Sequence, residues 1–275
     1  MSLSLDALGV GYQRSPILPP VTATAAAGRL TVLLGPNGSG KSTLLRTVAG
    51  LQPALGGAVR LSTAGAEPVD VLGMGVRDRA RRVAVVLTDR FDGALLTGGD
   101  LVALGRHPHL RVGGRLRDAD RTAIRSALSA MHADELADRK LVEMSDGQRQ
   151  RVLVARALAQ EPALLLLDEP SAFLDAPSRI DLLAVLADVA AERQIPVLVS
   201  THDVEAAIRT GQDGWLIDPA AGELGELVTG TVAELSRAAI GRAFDTDRVR
   251  FDPGDVSFRL RSSPLDGRSS PERHG

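Results

Sequence analysis

Eight consecutive residues, Gly35-Pro36-Asn37-Gly38-Ser39-Gly40-Lys41-Ser42, have the spacing G-x-x-x-x-G-K-[ST], and each type has a chemical reason to stand there. Glycines let successive backbone N–H groups turn inward as an anion-binding nest at a helix N-terminus, where the helix dipole also favours negative charge. The lysine brings a compact ammonium to the β- and γ-phosphates of a nucleotide, and the serine hydroxyl is an oxygen ligand for Mg²⁺. The rival reading is a plain glycine-rich turn. With 28 glycines in 275 residues, a chance match of the four fixed positions is on the order of one in several hundred. Lys41 and Lys140 are the only lysines among 32 basic residues, so a chain that otherwise uses arginine asks here for a point charge instead of a planar fork.

Leu164-Leu165-Leu166-Leu167 runs into Asp168-Glu169. Strand ends in α/β sheets are where ligands sit. Alternation along a strand lets the two acids take different work: Asp168 suits Mg²⁺, and Glu169 is placed to polarise an attacking water. Alone, two acids at a strand end are equally well explained as caps. Met144-Ser145-Asp146-Gly147-Gln148 reads as a helix start, with Ser145 the N-cap of Arg149 to Ala159 and Gln148 completing a capping box. That structural account suffices by itself, yet a hydroxyl and a glycine amide at a helix N-terminus also make a second phosphate site. The obvious client is a γ-phosphate held by another copy of the chain.

The elements that must hold these residues alternate. Leu30 to Leu34 reads as a buried strand that stops at Gly35, and a helical pattern from Ser42 runs to a C-terminal cap at Gly50. Further buried strands are expected at Val83 to Leu87, Leu164 to Leu167 and Pro196 to Val199, which predicts an α/β fold of the P-loop NTPase (RecA-like) kind, with a mainly parallel sheet. Leu3, Leu5 and Leu8 suggest an antiparallel β edge. Between Phe91 and Met144 the patterns are helical, at Leu95 to Leu104 and Asp120 to Met131. The expected division is a nucleotide-binding core at 1–90 and 145–230, a helical insertion at 91–144, a C-terminal extension at 231–261 and a disordered tail at 262–275.

Composition narrows the function. Thirty-two basic against 34 acidic residues, a net charge of -2, give no polybasic excess for nucleic acid or anionic membrane. The absence of cysteine excludes disulfides, thiolate metal sites and a cysteine nucleophile. The longest apolar runs fall far short of the roughly 20 residues of a membrane-spanning helix, and the N-terminus lacks the pattern of a secretory signal. His107 and His109, an i,i+2 pair split by proline, read as a solvated turn and not as metal ligands.

Taken together, the loop at Gly35, Met144 to Gln148 where a family reads LSGGQ, the strand ending in Asp168-Glu169, Ser171-Ala172-Phe173-Leu174-Asp175 and Ser200-Thr201-His202-Asp203 resemble the ATP-binding subunit of an ABC transporter, over about Leu3 to Asp252. The resemblance implies ATP and Mg²⁺ as cofactors. It implies nucleotide contacts along Gly35, Pro36, Asn37, Gly38, Ser39, Gly40, Lys41, Ser42 and Thr43, with Tyr12 stacked on adenine and Lys41, Glu169 and His202 as catalytic residues. Mg²⁺ would be held by Ser42 and Asp168, with Thr88 or Asp89 as a further candidate oxygen ligand. Two copies would pack head to tail, with Ser145, Asp146, Gly147, Gln148 and Asp175 at the dimer interface and Ser145, Gly147 and Gln148 on the partner's nucleotide. Tyr12, the only tyrosine, has the bland alternative of packing at a sheet edge, and His202 that of capping a turn. Two residues depart from the family pattern. Thr88, with Asp89 beside it, stands where a metal-linked glutamine is usual, and Asp146 brings a negative charge near phosphate.

Leu101 to His109, and the pattern around Gly230, Phe244, Phe251 and Phe258, are similar to importer subunits serving iron-siderophore, haem and cobalamin systems. The implied protein is an ATP-hydrolysing subunit at the cytoplasmic face of the plasma membrane, working with a permease and, through it, an extracytoplasmic binding protein. The alternatives are a nucleotide-dependent switch and a soluble ABC ATPase outside transport.

Overall fold

The computed structural model describes residues 1–63, 65, 67–88, 95–110 and 114–261; Asp89 and the 262–275 tail lie outside them. In chain order the elements open with β1 (Ser2–Gly9), β2 (Gly11–Tyr12), β3 (Ser15–Pro16), β4 (Val21–Ala26), β5 (Leu30–Leu34) and α1 (Lys41–Val48). They continue with β6 (Gly56–Ser62), β7 (Val69–Asp70), α2 (Val76–Arg82), β8 (Val83–Val86), α3 (Gly98–Leu104), α4 (Asp118–Ala130), α5 (Asp146–Ala159) and β9 (Leu164–Asp168). The chain then adds α6 (Ala176–Arg193), β10 (Val197–Ser200), α7 (Val204–Thr210), β11 (Asp213–Asp218), β12 (Glu226–Thr231), α8 (Val232–Ala238), α9 (Ile240–Phe244), β13 (Val249–Asp252) and β14 (Ser257–Leu260).

The main sheet has the order β12-β11-β5-β10-β9-β8 and is parallel apart from the antiparallel β11–β12 pair. This is the expected α/β architecture. Side chains alternate across the sheet, so β9 sends Leu165 and Leu167 into a core shared with α3 to α9 and Leu164 and Leu166 into a second core with α1 and the smaller sheet. All five residues of β5 and of β9 are buried, as strands covered on both faces must be. Trp215, fully buried on β11, donates its indole N–H to Thr24 O at 3.3 Å and ties the two sheets together.

The smaller sheet is antiparallel, β4-β1-β6-β7, and corrects one expectation. The Leu3, Leu5, Leu8 pattern read as an edge, whereas β1 lies inside, paired with β4 and β6. The three leucines share a face despite breaking strict alternation because the register shifts between Leu5 and Leu8, where Ala7 adopts φ +46°. A bulge inserts one residue and restores the buried face.

Arg106 fastens α4 to the end of α5. Its guanidinium is buried and donates to Asp120 Oδ1 at 2.9 Å, to Ala159 O at 2.7 Å and to Glu161 Oε2 at 2.6 Å. Asp120 also accepts from Arg117 N at 2.9 Å, and that bond, ahead of Arg106, holds its carboxyl below the usual carboxylate range. His109, expected in a solvated turn, is only partly exposed and donates from Nε2 to Gln160 O at 2.9 Å. Among the described residues no helix is long and apolar enough to cross a membrane.

Arg106→Ala would leave Asp120, 8% exposed, buried without its cation. A loss of roughly 3–5 kcal/mol is expected in urea unfolding, against under about 1 kcal/mol for Glu161→Ala, whose side chain is 58% exposed. Equal small losses would refute the clamp.

Candidate active site

The phosphate loop has the conformation its glycines predict. Gly38 and Gly40 lie at φ +80° and +100°, the left-handed region that side chains resist, and Gly40 is the N-cap of α1. No side chain among the described residues caps that helix, which leaves its first N–H groups for an anion. A Cβ on Gly35 would stand 2.6 Å from Ser39 Oγ. That hydroxyl is buried and has no hydrogen-bond partner among the described residues, so the loop fold holds an unspent donor.

Lys41 sits at the centre, 5% exposed. Its Nζ donates to Gly35 O at 2.8 Å and Pro36 O at 3.2 Å, and Glu169 Oε1 lies 3.6 Å away. Burial pushes the ammonium below the usual lysine value, against the opposing pull of Glu169 and then Asp168.

Across the loop, Asp168 Oδ1 accepts from Ser42 Oγ at 2.9 Å and Ser200 Oγ at 2.7 Å. These are hard oxygen donors gathered at one carboxylate, a set that fits Mg²⁺. Glu169 turns out of the strand at φ +47°, and its Oε2 accepts from His202 Nδ1 at 2.8 Å. Thr88 reaches the acid pair through the main chain: its hydroxyl donates to Asp168 O at 2.8 Å. Tyr12, half exposed, shares a 2.9 Å hydroxyl hydrogen bond with Thr43, which holds the tyrosine beside the start of α1. The structure thus gathers Lys41, Ser42, Asp168, Glu169, His202 and Thr88 into one contact network, with Tyr12 at its margin.

The remaining residues bond locally. Ser145 and Gln148 close a reciprocal capping box, Gln148 N to Ser145 Oγ at 3.2 Å and Ser145 N to Gln148 Oε1 at 3.1 Å. Asp146 pairs with Arg149 at 3.6 Å, so its charge at the start of α5 has a counter-ion. Asp175 caps α6, accepting from Ser178 N at 3.0 Å, and the Ser178 bonds hold its carboxyl below the usual range. Ser145, Gly147, Gln148, Leu174 and Ser178 line a common cavity of about 280 Å³.

Ser200 stands in a family motif of the sequence but has no role of its own there; its importance comes from Asp168, the neighbour that the sheet assigns it.

Comparison with known proteins agrees with this fold. Residues 18–172 match the family model described as ABC transporter. An uncharacterized ABC transporter ATP-binding protein of Methanocaldococcus jannaschii is 40% identical, over 96% of this chain and 88% of that protein. The iron(3+)-hydroxamate import ATP-binding protein FhuC of Bacillus subtilis is 38% identical over 76% of each. The solved structure of cbiO1 from Clostridium perfringens, part of the transporter complex cbiONQ, has the same fold, with a TM-score of 0.71 at 24% identity over 86% of this chain and 90% of that one. On the family match, and on a relative aligned along nearly its whole length, the chain belongs to the ABC transporter family.

Proposed function

We propose that the chain is the ATP-binding and ATP-hydrolysing subunit of an importer, energising uptake of an iron complex (siderophore or haem) or cobalamin through a separate membrane permease. The observation that carries the ATPase reading is the meeting of Lys41, Glu169 and His202 at the phosphate loop. The cargo class is supported by the Leu101 to His109 pattern and by the hydroxamate-import relative. The chain would lie at the cytoplasmic face of the membrane, held there by the permease.

In this reading the loop from Gly35 to Thr43 binds the phosphates and Tyr12 stacks on the base. Ser42 and Asp168 would hold Mg²⁺, which supplies charge neutralisation at the phosphate oxygens. Glu169 orients the attacking water and accepts its hydrogen bond. His202 occupies Oε2, so Oε1 is the oxygen left for that water once Lys41 turns to the phosphate. His202 also contacts the γ-phosphate. A second copy, packed head to tail, brings Ser145, Gly147 and Gln148 to the same phosphate, with Asp146 and Asp175 at the interface.

Glu169→Gln is expected to lower ATP turnover by at least about 100-fold while an ATP-stabilised dimer accumulates on size exclusion; unchanged turnover refutes the role of Glu169. Uptake of radiolabelled iron(III)-hydroxamate, haem or cobalamin should stop in cells lacking the chain, and normal uptake of all three refutes the cargo class. Lys41→Met should abolish ATP binding and also change the alkaline stability profile. The unfolded chain keeps the Lys41 proton to about pH 10.4, whereas the folded chain releases it earlier. Wild-type unfolding free energy should therefore rise with pH in that interval relative to Lys41→Met, as read in paired urea titrations.

A further inference from the structure

The peptide that joins Asp168 to Glu169 is held from both sides. Its carbonyl, Asp168 O, accepts from Thr88 Oγ1 at 2.8 Å. Its N–H, on Glu169, donates to Ser200 Oγ at 2.9 Å and lies 3.2 Å from Ser200 O. Thr88 follows β8 and Ser200 ends β10, the two strands that flank β9 in the sheet. One hydroxyl from each neighbour therefore fixes this single peptide plane.

Ser200 carries a second bond, for the same Oγ donates to Asp168 Oδ1 at 2.7 Å. A hydroxyl has one proton to give and lone pairs to accept, and here both are spent, the proton on one acid and a lone pair on the amide of the next. Glu169 needs such a restraint. At φ +47° it occupies backbone space that residues with a Cβ seldom enter, and such conformations persist only where the surroundings over-determine them. Relaxing the peptide would swing the carboxylate away from His202 Nδ1 and Lys41 Nζ, which stand 2.8 and 3.6 Å from it here.

We propose that Thr88 and Ser200 are positioning residues for ATP hydrolysis: they lock the Asp168–Glu169 peptide so that the Glu169 carboxylate points at the phosphate loop. On this view Thr88 acts through the backbone of the acid pair. The inference rests on the ATPase reading above, and it concerns geometry that any nucleotide would meet already formed.

The test uses the full chain carrying Thr88→Val, Thr88→Ser or Ser200→Ala, each with Glu169 intact and in the Glu169→Gln background. A misplacement of about 1 Å at a reacting group costs up to about 100-fold, and partial loosening here is expected to lower kcat about tenfold for Ser200→Ala and for Thr88→Val. KM for ATP should stay within about twofold for Thr88→Val, which touches only the main chain of the acid pair, and Thr88→Ser should keep wild-type kcat because it keeps the hydroxyl. In the Glu169→Gln background Thr88→Val should alter residual turnover by less than about twofold, because the carboxylate it orients is already gone. Lower unfolding midpoints with unchanged kcat, or an equal further loss for Thr88→Val in the Glu169→Gln background, would overturn the inference. Wild-type chain that binds ATP but never turns it over, alone or with its permease, would instead overturn the ATPase reading.

Discussion

Every part of the candidate site depends on the register in which β10 lies beside β9 and β5. Ser200 is opposite Asp168, and Leu33 is opposite Ser200, so the strand ends coincide where the chain turns into the phosphate loop. In a sheet with one wet face, alternation of apolar and polar residues would fix this register. Here both faces are dry, and Leu164 to Leu167 offer the same side chain at four successive positions. A slip of one residue along β9 would cost little in apolar burial. Depending on its direction it would, however, place Leu167 beside Ser200 and leave Asp168 past the end of the sheet, or place Glu169 beside Ser200 and leave Asp168 in the core without partners. Burying an unpaired carboxylate costs several kcal/mol, far more than any gain in leucine packing. The polar strand ends, and not the apolar runs, set the alignment.

That division explains how far the sequence alone could be read. The strand, phosphate loop and first helix are contiguous, and their signals are local: a run of leucines and a valine, glycines where φ is positive, a lysine and a serine. The capping box of α5 is equally local, with Ser145 and Gln148 three residues apart. What stayed hidden lies in partners chosen across the fold. Leu3, Leu5 and Leu8 do not say that a bulge brings them onto one face or that strands flank β1 on both sides. Arg106 carries no local signal of burial, because its burial depends on Asp120 and on the last carbonyl of α5. His109 likewise needed Gln160 before it ceased to look like a solvated turn. Ser200 belongs to a four-residue motif, but nothing in those four residues shows that one hydroxyl serves both acids.

The start of α5 shows how a surface can be complete in one chain and still able to bind. Ser145 Oγ accepts the Gln148 N–H, which satisfies one of the orphan donors of the helix. Its own proton is not used in that bond, so the hydroxyl can donate to a phosphate oxygen without breaking the cap. Asp146 stands in the same favourable dipole field that would attract phosphate; left alone, it would compete with the ligand. Its pairing with Arg149 sets a positive guanidinium beside that carboxylate and offsets the repulsion. Gly147 adds no side chain, and a Cβ there would meet only Leu174 Cδ2 at 3.8 Å, so the glycine answers no steric need within the single chain. The open space at Gly147 leaves the backbone there free for the phosphate that the proposed second copy would bring.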